Sequence, residues 1–179
     1  MLSTRAFLLA ATTSISLAAC VQYDDGSVFQ HLSIRGDTVV AHSRAGSDAI
    51  VASSGDLSID GKPVQITPTQ RKLLQGYNRD VLALRTDGIA TGKQGARTGA
   101  AAIGAVIEGL GNGHPDEIDA KVERQASQVE ALASKICLDL AGIRTAQEAI
   151  VGEIPAFKPY ATIEIQQVKD CQAKTETKT

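Results

Sequence analysis

Residues 55–70, GDLSIDGKPVQITPTQ, decide how the chain folds. Leu57-Ser58-Ile59 and Val64-Gln65-Ile66 alternate apolar and polar side chains, the period of a strand with one buried face. Asp60-Gly61 between them is the dipeptide of a two-residue hairpin turn, whose central residues both need positive φ. Pro63 has no amide hydrogen to give a neighbour, so its strand belongs at a sheet edge. The period then changes. Thr67 precedes Pro68, and Gln70 stands three residues beyond Thr67, a capping box with proline at the first helical position. Leu73, Leu74, Tyr77, Val81 and Leu84 follow at helical spacing. A hairpin that runs straight into a long helix makes this an α+β chain.

Towards the N-terminus, residues 21–66 read as β. Val28, Leu32 and Ile34 share one parity, Thr38 to His42 and Ala49 to Ala52 are further short β-prone runs, and Gly36-Asp37 marks a turn. Towards the C-terminus, eight of the sixteen glycines fall between Gly88 and Gly113. A glycine inside a helix costs about 0.5–1 kcal/mol relative to alanine, so this density needs a compensating contact. Small residues four apart make a flat groove for another backbone. Gly88, Gly92, Gly95, Gly99 and Gly104 are therefore expected to pack against the helix that follows, with shallow membrane contact or self-association as the other reading. Pro115 opens that second helix, with Asp116 and Glu117 in its first turn. Ile118, Val122, Val129, Leu132, Ile136, Leu140, Ile143 and Ile150 form one apolar stripe along it. Pro155 and Pro159 stop it, Tyr160 to Val168 (YATIEIQQV) reads as a closing strand, and 172–179 as a polar tail. The expected architecture is a small antiparallel β region, a long helical hairpin and a C-terminal strand.

Composition narrows the function. The chain has 179 residues, 43% of them hydrophobic, enough for one cored domain with an appendage. Lys and Arg number 18 against 20 Asp and Glu, and there is no Trp and only 3% aromatic residues. That balance supplies neither the charge nor the stacking platforms of a nucleic-acid binder. No apolar run reaches the roughly 18–20 residues of a spanning helix.

Met1 to Arg5 carries one positive charge, Ala6 to Ala19 (AFLLAATTSISLAA) is apolar and small, and Cys20 follows. This is the pattern of a secretory signal, residues 1–19. Leu17-Ala18-Ala19-Cys20 resembles the lipobox of bacterial lipoproteins. The resemblance implies cleavage before Cys20, a diacylglycerol on its thiol and an acyl chain on its new amino terminus, which together anchor a soluble domain. Val21 stands where lipoproteins of the inner membrane resemble one another in having Asp, which points to the outer membrane and its periplasmic face. With Cys20 acylated, Cys137 and Cys171 are the remaining pair in an oxidising compartment, and a disulfide between them is expected as a structural staple.

No catalytic or metal site is expected. His31 and His42 could face each other across the β region, and His114 precedes Pro115, but no Cys or acidic pair completes a ligand set. No G-x-S-x-G, H-E-x-x-H or S-x-x-K occurs, and Ser, His and Asp without context make no triad. Gly88 to Lys93 misses the phosphate-loop spacing. Arg35-Gly36-Asp37 reads as a turn, and Asp24-Asp25-Gly26 and the acids at 116, 117 and 119 lack the ligand spacing of calcium loops.

Residues 55–64, then Thr69-Gln70-Arg71, Leu73-Leu74 and Tyr77, and later Phe157-Lys158-Pro159-Tyr160-Ala161 before Cys171, resemble the YggN-like family of exported proteins. The resemblance spans about residues 55–171 and implies periplasmic residence without any catalytic residue. The expected parts are thus the signal (1–19), a lipidated β-rich segment (20–54), an α+β domain (55–171) and the tail (172–179). The expected function is a non-enzymatic cell-envelope lipoprotein with a structural or interaction role, held to the membrane by its lipid and meeting an envelope protein partner. The alternative is a periplasmic module that holds a lipid or other apolar ligand between the small-residue helix and the sheet.

Overall fold

The computed structural model describes residues 30–112 and 115–176. The signal, Cys20, Val28, the acids at 24 and 25, Gly113, His114 and the last three residues lie outside them.

The β region is a five-stranded antiparallel meander in sequence order: β1 (Leu32–Arg35), β2 (Thr38–His42), β3 (Asp48–Val51), β4 (Leu57–Ile59) and β5 (Lys62–Pro63). Alternation sets its two faces. Leu32 pairs with Ala41, Ile34 with Val39, Ala41 with Ala49, and Val51 with Leu57, so the apolar residues of four strands share one side. Asp60 (φ 50°) and Gly61 (φ 74°) both occupy the left-handed region, as the two-residue turn requires. Pro63 lies on the edge strand β5, where its missing donor does no harm.

α1 (Pro68–Asn112) starts at the expected capping box. The Gln70 amide nitrogen donates to Thr67 Oγ1 at 3.3 Å, and the Thr67 amide donates to Gln70 Oε1 at 2.8 Å. Its first turns lie on the sheet. Gly55 (φ 81°) sits so close that a Cβ there would stand 2.6 Å from the Arg71 carbonyl oxygen. Buried Asn78 donates to the carbonyls of Asp37 in the β1–β2 turn and of Val51 at the end of β3, both at 2.9 Å, which pins the helix to the sheet. α2 (Pro115–Glu153) returns antiparallel to α1, giving the expected helical hairpin.

The C-terminal strand is not formed. Residues Pro155–Tyr160 make a 3-10 helix, and α3 (Ile165–Glu176) follows, running through most of the stretch expected to be a polar tail. The alternation of Ile163 and Ile165 looks like a strand, yet only Ile163 is buried, and Ile165 stands 47% exposed. The side chains turned inward are Ile163, Val168 and Cys171, the last two at helical spacing. The Glu164 amide donates to Gln167 Oε1 at 2.8 Å, a local contact that favours the helix start. Cys171 on α3 and Cys137 on α2 form the expected disulfide, with Cα atoms 5.5 Å apart.

One core joins these parts. Leu74, Tyr77, Val81 and Leu84 of α1 meet the sheet's apolar face and Leu140, Ile143 and Ile150 of α2, and Phe157, Tyr160 and Val168 close the end. The Tyr77 and Phe157 rings meet edge to face at 5.7 Å. Gln147, 1% exposed, satisfies this polar spot: its amide donates to Tyr77 Oη and the Tyr160 carbonyl, each at 3.4 Å, and Oε1 accepts from the Ile163 amide at 3.2 Å. Burial pushes the Tyr77 hydroxyl up to about 12, with the Gln147 contact opposing it.

Candidate functional site

The clearest concavity is a groove of about 430 Å³ between the edge strand β1 and α1. Leu32 and Ile34 form one wall, and Val81, Leu84, Gly88 and Ile89 the other, with Arg85 beside them. The origin of the groove is simple. β1 ends the sheet of the described residues, and no sixth strand among them covers the side of α1 next to it. Ile89 is left 48% exposed there. The lining is apolar, with one cation, and offers shape and desolvation rather than acid–base chemistry.

A second hollow of about 380 Å³ lies between the β2–β3 turn and the segment before α3. Lys158, Thr162, Arg44 and Glu164 line it, and an Arg44–Glu164 ion pair crosses it. Thr162 Oγ1 is buried without a hydrogen-bond partner among the described residues.

Ser33, His42 and Asp48 make a chain across three strands. Ser33 Oγ is 2.9 Å from His42 Nε2, and His42 Nδ1 is 2.7 Å from Asp48 Oδ1. The atoms are ordered as in a nucleophile–base–acid relay, a link no sequence motif announces. All three lie on the sheet face turned away from α1, and none of them lines the groove or the polar hollow. The chain ties β1 to β3 across β2. His31 takes part only through its carbonyl, which accepts from the His42 amide at 2.8 Å. Among the described residues no group of three His, Cys, Asp or Glu could hold a metal ion.

The glycines expected to pack do not do so. Among the described residues, a Cβ built on Gly88, Gly92, Gly95, Gly99 or Gly104 would meet no heavy atom of another element within 4 Å. Gly92, Gly95 and Gly99 are exposed, and the residue before each of them, Thr91, Gln94 and Thr98, is half-buried instead. This seam is polar. Gln94 donates to Gln128 Oε1 at 2.9 Å, and the Thr91 and Thr98 hydroxyls donate back to carbonyls four residues earlier in α1. At the seam's inner end Lys135 pairs with Asp87 and Asp139. Lys135 holds the Asp87 carboxyl below its usual range, whereas burial raises that of Asp139.

The fold and groove define an α+β protein with a small sheet, a long helical hairpin and a concave apolar edge. The chain matches no family model, no curated protein and no solved structure. No described helix is long and apolar enough to cross a membrane.

Proposed function

We propose that this protein is a non-enzymatic cell-envelope lipoprotein with an interaction role. A diacylglycerol and an N-acyl chain on Cys20 hold it at the outer membrane on the periplasmic side, and the distal helical hairpin is offered to an envelope protein partner. One observation carries the reading: among the described side chains, α1 has none buried beyond Leu84 and α2 has none before Cys137. A helix pair that buries so little adds little to the core, and its length is better explained by reach. The lipobox resemblance supports the anchor. The Cys137–Cys171 disulfide suits an oxidising compartment, and the likeness to YggN-like proteins supports export.

A photo-crosslinking residue at Gly92 or Gly99 tests the reading in intact cells. We expect one recurrent adduct with an envelope protein, and adducts with lipid alone would contradict it. Cys20→Ser should move the protein out of the membrane fraction, and unchanged sedimentation with the outer membrane would remove the anchor. The groove beside β1 favours the second reading, a module for a lipid or other apolar ligand. Mass spectrometry of the protein purified from membranes separates the two, since a stoichiometric co-purifying lipid belongs only to the second.

A further inference from the structure

The two edges of the sheet are built differently. β5 has two residues, Lys62 and Pro63, both exposed. A cation and a residue with no amide hydrogen are devices that stop another strand from joining. β1 has four residues and no proline. The His42 amide bonds to the His31 carbonyl, and the register continues through Ser33 opposite Val40 and Arg35 opposite Thr38. In such a ladder the intervening residues turn their N–H and C=O groups away from the partner. Among the described residues, Leu32 and Ile34 therefore present the open donors and acceptors of this edge. The side chains of these same two residues form the strand wall of the apolar groove.

We propose that β1 and the groove beside it form a docking site for an extended peptide of another envelope protein, which adds a sixth strand and lays alternate apolar side chains against α1. Main-chain donors and acceptors along one wall distinguish this occupant from an acyl chain, which would leave them unpaired. Arg85 lies at the groove without an ion pair among the described residues, and Arg35 ends β1, so the peptide carries acidic residues beside its apolar ones. The site is separate from the distal hairpin, and either can fail without the other.

The test adds the peptide acetyl-EVTVTVE-amide to the full chain and follows amide hydrogen exchange. The Leu32 and Ile34 amides should slow, while that of Ser33, already bonded to β2, should not change. The same peptide N-methylated along its pairing edge should bind about tenfold more weakly, because two or more backbone bonds are lost. Ile34→Pro removes an outward donor without taking a bond from β2, and should weaken binding by a similar factor with the melting temperature retained. Arg85→Glu leaves the backbone intact and decides the matter should the proline variant fail to fold: it should reverse the preference towards acetyl-KVTVTVK-amide. Unchanged exchange at Leu32 and Ile34 under millimolar peptide overturns the proposal. So does equal binding of the methylated peptide, or an Arg85→Glu variant that keeps its preference for the acidic peptide. Palmitate displacing a peptide insensitive to methylation would make the groove an acyl site instead.

Discussion

The two ends of the same helix pair obey different rules. Near the sheet, α1 turns Leu74, Tyr77, Val81 and Leu84 inward, and α2 answers with Leu140, Ile143 and Ile150. Farther out no described side chain is fully buried: Thr91, Gln94 and Thr98 of α1 and Val129 and Leu132 of α2 are only half-buried, and Gln94 bonds to exposed Gln128. α1 has 45 residues, about 67 Å at 1.5 Å per residue, and its last 28 or so, roughly 40 Å, lie beyond Leu84. The head is held by full burial, and the arm by helix propensity, short polar bonds and half-buried contacts. Seven glycines in this part of α1 make it weaker still. Length that costs stability and adds no core points to contact with something else.

The contrast predicts which substitutions matter. Phe157→Ala should have the largest effect, about 3–5 kcal/mol, since the ring is fully buried between Tyr77 and Tyr160. Its melting temperature should fall by roughly 10 °C, with hydrogen exchange in the arm unchanged. Opening the disulfide with Cys171→Ser comes next. Its ends are 34 residues apart in sequence, and closing such a loop contributes about 3–4 kcal/mol in the chain-entropy model. Reductant should lower the melting temperature of the native protein and leave that of the variant unchanged.

Tyr77 supplies a test in pH. Its folded pKa of about 12 lies above the ordinary 10.0. The neutral hydroxyl therefore supports the fold fully below pH 10, and that support is lost as pH rises towards 12. The loss is on the order of 2–3 kcal/mol. Tyr77→Phe should flatten the fall of stability between those values in alkaline denaturation. The smallest effect belongs to the arm. Gly92→Ala and Gly99→Ala meet open space and should each strengthen the helix by about 0.5–1 kcal/mol. Slower exchange along 88–104 with an unchanged melting temperature would show it; destabilisation would mean that a close partner does lie on that face.

Much of the head was legible because local chemistry and tertiary packing agree there. The Thr67–Gln70 box, the Asp60-Gly61 turn and the edge position of Pro63 each state one backbone requirement and meet it. The C-terminus was misread because Ile163 and Ile165 alternate like a strand, while burial selects Ile163, Val168 and Cys171. Glycine spacing showed the helix but not its phase. That is set by the apolar residues from Leu74 to Leu84, which turn Gly92, Gly95 and Gly99 just off the seam. The groove beside β1 had no local signal, since it arises where the sheet stops and α1 continues. The Ser33–His42–Asp48 chain was equally hidden, because it needs the register of three strands.

Residue-resolved hydrogen exchange at neutral pH tests the division between head and arm most directly. The account predicts amides of 74–84 and 140–150 that open only with global unfolding, and amides of 91–104 and 123–134 that exchange orders of magnitude faster through local opening. Uniform protection along the whole of α1 and α2 would contradict it, and would make the hairpin a single packed unit with no free arm.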